Sequence, residues 1–208
     1  KAKQNKAQKD NLLREIYYKR SHIRFYGSSK NCQGADPILM GNIVNTNAAY
    51  LSEQCAGLGL TMYYQSVVGD NPQRLEQLVT DAMKRSDILI FSGGLGPTQD
   101  DLTKETVAKA FGVSLVEDAT ALGLLIQSFE RFQKPMTENN RKQALVPKGS
   151  MVLQNRAGTA PGIIIEGKQA TAILLPGPPN ELIPMFHEQV APYLKTRSDA
   201  TLFSKMIK

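Results

Sequence analysis

Twice in this chain a short apolar run empties into a glycine- and proline-rich loop that opens onto a helix start. The first is Ile88-Leu89-Ile90-Phe91, then Ser92-Gly93-Gly94-Leu95-Gly96-Pro97, then a helical pattern from Thr103 to Phe111. The second is Ala170 to Leu175, then Pro176-Gly177-Pro178-Pro179, then a helix from about Asn180 to Val190. Apolar runs this short, bounded by Gly and Pro, read as buried strands. A buried strand handed straight to a helix is the unit of an α/β fold with a mainly parallel sheet. Ligands of such sheets sit at the carboxyl ends of the strands, so both loops are expected on one functional edge.

The remaining pattern agrees with that class. Ala48, Leu51, Cys55 and Leu58 mark one helix face, with Asn45 to Asn47 as cap candidates. Met62 to Val68 reads as a strand. Asn71-Pro72 starts a helix whose stripe is Leu75, Leu78, Val79, Ala82 and Met83. A short strand is expected at Val113–Val116, and Leu122, Leu125, Ile126, Phe129 and Phe132 stripe a further helix that Pro135 stops. A shorter helix is expected over Thr137–Leu145, and strands at Met151–Leu153 and Gly162–Ile165. Three segments result: a basic leader over 1–33, poorly ordered or atypical; an α/β domain over 34–195; and a tail over 196–208.

Charge is uneven along the chain. Of 25 Lys/Arg and 19 Asp/Glu, nine and two fall in residues 1–30, leaving 16 basic and 17 acidic side chains in the rest. The body is near neutral, without the clustered Lys/Arg that nucleic acid binding needs. No apolar run approaches the roughly 20 residues of a membrane-spanning helix, and no secretory leader is evident. Cys32 and Cys55 lack metal-ligand spacing and make no disulfide framework. A cytoplasmic protein with no nucleic acid or membrane partner is expected.

The loop after Phe91 is the strongest chemical signal. Backbone N–H groups of a Gly-rich turn approach a phosphate closely, and the helix beyond it adds positive potential. Asp100 and Asp101 come within five residues of Gly96, where a divalent metal could bridge a carboxylate to that phosphate. Neighbouring residues do not share a face, so the two aspartates are expected to do different jobs. Asp70 precedes a helix and reads either as a cap or as a second acid; Asn45 and Asn47 read either as caps or as amides for a ligand. The loop is neither a G-x-G-x-x-G nor a P-loop. His187 is the single histidine of the globular part, which leaves no Ser-His-Asp set.

Six segments in order resemble one family. They are Gly41 to Asn47, Val68 to Asn71, Ser92 to Thr103, Met136 to Gln143, Asn155 to Gly162 and Leu175 to Glu181. Together they look like the N-terminal domain of the CinA family, which is similar in turn to the molybdopterin-binding fold of MoaB, MogA and MoeA. The resemblance implies a three-layer α/β/α domain that forms a homodimer. It also implies hydrolysis of ADP-ribose to AMP and ribose 5-phosphate, dependent on a divalent metal (Mg²⁺, Co²⁺ or Ni²⁺) and supported by K⁺.

Pterin-binding relatives carry Gly-Gly-Thr-Gly followed by Asp-Val-Thr, which aligns Asp101 with their functional aspartate. The resemblance therefore assigns Asp101 and Asp70 to catalysis and Asp101 and Asp100 to the metal. The ligand, a nucleotide or a pterin, would rest on Asn45, Asn47, Ser92, Gly93, Gly94, Gly96, Pro97, Thr98 and Thr159. Gly177, Pro178, Asn180 and Glu181 would close the other side.

The sequence departs from the family twice. The usual first strand and its Gly-Thr-Glu segment correspond to Gly34-Ala35-Asp36-Pro37-Ile38-Leu39-Met40-Gly41, where Thr-Glu is missing; Ile23 to Tyr26 is the one stretch that could replace the strand. The sequence also ends at Lys208, ahead of the nicotinamide-mononucleotide deamidase domain that CinA proteins commonly carry. Three functional readings are compatible with these residues: the pyrophosphatase, a non-catalytic nucleotide- or pterin-binding module, and an adenylyltransferase acting on molybdopterin.

Overall fold

The structure, a computed structural model, describes residues 23–27, 44–69 and 71–197. A six-stranded sheet runs through its centre in the order β2-β1-β3-β8-β7-β6. These are β1 (Ile23–Gly27), β2 (Met62–Val67), β3 (Ile88–Ser92), β6 (Met151–Leu153), β7 (Gly162–Glu166) and β8 (Thr171–Leu175). The strands β2, β1, β3 and β8 are parallel, while β7 and β6 are added antiparallel. A two-stranded antiparallel ribbon, β4 (Leu115–Glu117) with β5 (Leu145–Pro147), lies apart from it.

Ile23–Gly27 is thus a strand in the middle of the parallel half, paired on both sides. The position that the sequence leaves in doubt is filled from within the basic segment. The rest of residues 1–33, the Gly34–Gly41 stretch, Asp70 and residues 198–208 lie outside the described residues.

Alternation along the strands builds two cores. In β3 every residue is buried; Ile88 and Ile90 face one side, Leu89 and Phe91 the other. On the first side, Ile173 and Leu175 of β8 and Ile164 of β7 pack under α1 (Thr46–Gly57) and α5 (Pro179–Met185) with its continuation. The second side takes Leu174 and Ile163 against α2 (Pro72–Met83), α3 (Thr103–Ala110) and α4 (Ala119–Arg131). Each fully buried Leu or Ile in these layers contributes about 1.5–3 kcal/mol. The result is a three-layer α/β/α sandwich.

Two segments differ from the sequence pattern. Thr137–Leu145 is not an α-helix; Glu138–Ala144 is a 3-10 helix opened by a capping box between Thr137 and Asn140. It buries only Gln143 and Ala144, and Leu145 already belongs to β5. The last helix runs past Val190: a π turn (Phe186–Val190) links α5 to α6 (Ala191–Lys195). Pro192 has no N–H to close the regular ladder there, and the Ala191 N–H reaches back to the Phe186 carbonyl.

The register aligns the carboxyl ends of the parallel strands. Val67, Gly27, Ser92 and Leu175 stand in one row across the sheet. The loops leaving Ser92 and Leu175 therefore emerge side by side on the same edge.

Candidate functional site

A cleft of about 530 Å³ opens on that edge. Its walls come from the start of α1, the loop after β3, the loop after β8, the 3-10 segment and the loop between β6 and β7.

Asn45 and Asn47, indistinguishable as cap candidates, divide the work. Asn45 caps α1 by accepting the Ala48 N–H at 3.0 Å. Asn47, in the first turn, sends its Nδ2 to Ser92 Oγ at 3.0 Å and to the Gly177 carbonyl at 2.7 Å. One amide therefore ties the loop after β3 to the loop after β8. Ser92 Oγ in turn donates to the Pro176 carbonyl at 3.4 Å, and the Gly93 N–H to the Leu175 carbonyl at 2.9 Å.

Gly93 accordingly closes the sheet rather than offering its N–H to a ligand. Gly94, Leu95 and Gly96 are the loop N–H groups with no protein acceptor among the described residues, and all three line the cleft. The turn needs left-handed backbone at Gly93 (φ 94°) and Gly94 (φ 70°). A Cβ on Gly94 would collide with Thr103 Oγ1, and one on Gly96 would stand 2.5 Å from Asp101 Oδ2. At Gly94 glycine is demanded by geometry and by neighbours at once.

Asp101 and Asp100 separate cleanly. Asp101 is 3% exposed and lines the cleft, while Asp100 is exposed to solvent and does not. The Thr98 N–H and Oγ1 both donate to Asp101 Oδ2, at 3.0 and 2.6 Å. Lys142 Nζ donates to the Thr98 and Asp101 carbonyls, each at 3.2 Å, and pairs with Glu105 at 3.2 Å. Behind it Lys104, 3% exposed, donates to the Lys142 carbonyl at 2.7 Å. Burial pushes the Lys104 ammonium down to about 8, against the opposing pull of the Glu105 carboxylate. The uncapped N-terminus of α3 comes directly after Asp101 and Leu102.

The opposite wall is organised by Asn155, 4% exposed. Its Oδ1 accepts the Ala157 and Gly158 N–H groups at 3.1 and 2.8 Å; its Nδ2 donates to the Ala160 carbonyl at 2.8 Å and to Glu181 Oε2 at 2.6 Å. Glu181, in the first turn of α5, occupies the space a side chain on Gly158 would need.

Of the residues expected at the site, Asn45, Asn47, Ser92, Gly93, Gly94, Gly96, Pro97, Asp101, Thr159, Gly177, Pro178 and Glu181 line the cleft. Thr98, Asp100 and Asn180 do not; Thr98 acts through Asp101, and Asn180 is exposed. Asp70 lies outside the described residues, and the helix beyond it is capped by Asn71, whose side chain accepts the Arg74 N–H at 2.9 Å. The sequence reading passes over Gln143, Asn155, Lys104 and Lys142. Gln143 and Lys142 fall inside a motif, and Asn155 opens another, which was the available signal.

Among the described residues no three His, Cys, Asp or Glu side chains form a ready metal cage. Mg²⁺-type ions commonly take one or two carboxylates, waters and substrate phosphates instead. Asp101, a carboxylate beside the phosphate-type loop, fits that mode.

Comparison with known proteins shows what the chain as a whole is similar to. Residues 34–196 match the family described as probable molybdopterin binding domain. A putative competence-damage inducible protein of Caldicellulosiruptor bescii is 51% identical over 177 residues, 85% of this chain and 43% of that protein. One from Lysinibacillus sphaericus is 54% identical over 157 residues, 76% of this chain and 38% of that protein. The chain therefore spans less than half the length of these relatives. The crystal structure of CinA from Thermoplasma acidophilum superposes with a TM-score of 0.71 at 30% identity, covering 83% of this chain and 97% of that one. The molybdopterin biosynthesis enzyme MoaB of Thermus thermophilus gives 0.51 at 16% identity over 85% and 97%, a likeness of fold alone.

Proposed function

This chain belongs to the molybdopterin-binding-domain family, in its CinA branch, and from that premise we propose that its cleft binds a phosphate-bearing nucleotide or pterin and hydrolyses ADP-ribose-type pyrophosphates to AMP and ribose 5-phosphate. The observation that carries the reading is one wall holding both the Gly94–Gly96 N–H groups and the Asp101 carboxylate. The three N–H groups of this turn would take phosphate oxygens. Asp101 would hold a divalent ion, which when bound neutralises charge developing on the pyrophosphate and lowers the pKa of a bound water. Thr98 and Lys142 keep the Asp101 turn in place. Asn47 fixes the separation of the two loops, so that little reorganisation is left for the reaction.

The test is AMP release from ADP-ribose with Mg²⁺, Co²⁺ or Ni²⁺ and K⁺, beside D101A. Release that vanishes in D101A supports hydrolysis. A second reading, a binding module without turnover, draws on the two Thr98 donors that already engage Asp101 Oδ2. Tight binding of the same ligand with no AMP favours it, and ATP-dependent modification of a pterin would favour adenylyl transfer over both.

A further inference from the structure

Gln143 carries a feature that the phosphate-type loop does not use. It lines the cleft from the 3-10 segment and is 2% exposed. Its Nε2 donates to Thr159 Oγ1 over a long 3.4 Å. Its Oε1 is buried and has no hydrogen-bond partner among the described residues. Leaving an amide oxygen in that state is costly, and buried acceptors are almost always satisfied in a working structure. A donor to this oxygen is missing among the described residues, and the residue that carries it lines the cleft.

The neighbouring groups sharpen what that donor is. Thr159 belongs to the loop that Asn155 holds, and within that loop Gly158 abuts Glu181. Glu181 also lines the cleft and accepts the Asn155 amide through its carboxylate. Gln143 and Glu181 thus make an acceptor-rich wall, whereas Gly94, Leu95 and Gly96 make a donor-rich one. A bare phosphate or pyrophosphate satisfies the second and has nothing to give the first. A molecule with phosphate on one side and O–H or N–H donors on the other satisfies both.

We propose that Gln143 Oε1 is a specificity-determining acceptor that selects ligands carrying a hydroxyl or amino donor beside their phosphate, such as the ribose hydroxyls of a nucleotide or the amino edge of a phosphorylated pterin. The inference rests on the phosphate-ligand reading above. It predicts that discrimination against simple phosphates comes from the 3-10 segment and not from the Gly-rich loop. A site built to bond a donor rejects ligands lacking it, because its own polar group is then left unpaired.

Calorimetric titrations of the wild-type chain, Q143M and Q143E with inorganic pyrophosphate, ADP-ribose and neopterin monophosphate, each with Mg²⁺, test this. Q143M is expected to weaken ADP-ribose or the pterin about tenfold or more and to change pyrophosphate by less than about twofold. Q143E keeps an oxygen acceptor but buries a negative charge in the cleft, so it is expected to weaken all three anionic probes together and serves as the charge control. Q143A gives the same contrast should Q143M fail to fold, as judged by thermal unfolding. A loss confined to ADP-ribose identifies a hydroxyl as the donor; one confined to the pterin identifies the amino edge. Wild-type binding that Q143M leaves intact, or weakens equally for all three probes, overturns the inference while sparing the phosphate-ligand reading. A wild-type chain that binds none of the three overturns both.

Discussion

Thr98 holds Asp101 through two hydrogen bonds to one oxygen, its N–H at 3.0 Å and its hydroxyl at 2.6 Å from Oδ2. The short hydroxyl contact is charge-assisted and worth more than an ordinary bond. T98V removes it and keeps the backbone one. The expected result is a stability loss of about 1–2 kcal/mol and several-fold weaker binding of ADP-ribose, with T98S near wild type. Thermal unfolding and calorimetry read the two effects; equal behaviour of T98V and T98S would count against the hydroxyl.

The two loop glycines should fail in different ways. G94A forces a side chain into left-handed backbone and against Thr103, so the fold itself suffers, by about 2–4 kcal/mol. G96A meets only the Asp101 carboxylate at 2.5 Å, which must turn away. G96A should therefore unfold within a few degrees of wild type yet lose most AMP release or ligand affinity. Melting temperatures and activity of both variants, compared side by side, decide it.

Asn155 satisfies four groups at once. N155A strands two N–H groups, a carbonyl and Glu181, and should cost about 2–4 kcal/mol. In N155D an acid faces Glu181 where the amide donates at 2.6 Å. Like charges in contact raise both carboxyl pKa values, so this variant should be less stable at pH 8 than at pH 5 relative to wild type. Urea unfolding at the two pH values checks the sign.

Lys104 gives the wild-type chain its own pH signature. Its ammonium titrates near 8 in the folded state and near 10.5 when unfolded. Between those values the unfolded chain binds more protons, so this group's contribution raises stability as pH rises from about 8 to 10.5 and is flat below. K104M lacks the effect. The stability difference should move in favour of wild type by at most about 3 kcal/mol between pH 7 and 10.5. Parallel curves from chemical denaturation would refute the buried, depressed lysine.

The sheet and its loops were legible because strand and helix periods alternate on the apolar scale, and because Gly and Pro punctuate them. Ile88 to Phe91 could be little else but a buried strand. Individual roles were less legible where residue type alone is ambiguous. Asn45 and Asn47 are equally good caps until the start of α1 is placed, after which one caps and the other reaches the loops. Asp100 and Asp101 differ only by which way the turn faces. Gln143, Asn155 and Lys104 act across the fold, on Thr159, Glu181 and the Lys142 carbonyl respectively. No local pattern encodes those pairings. The 3-10 segment reads as an α-helix because its capping signal is genuine, while its length is limited by β5.

The Asn47 amide has a kinetic corollary. Because it grips Ser92 and Gly177 together, while the Ser92 hydroxyl and the Gly93 N–H hold the Pro176 and Leu175 carbonyls, the two rims of the cleft spread only if an Asn47 bond and the direct bonds between the loops give way together. Neither rim is a door that swings by itself. A ligand meets a slot whose width is already set, and its arrival is governed by diffusion and orientation rather than by waiting for an opening. Differences in affinity among ligands should then show themselves as differences in how long each one stays.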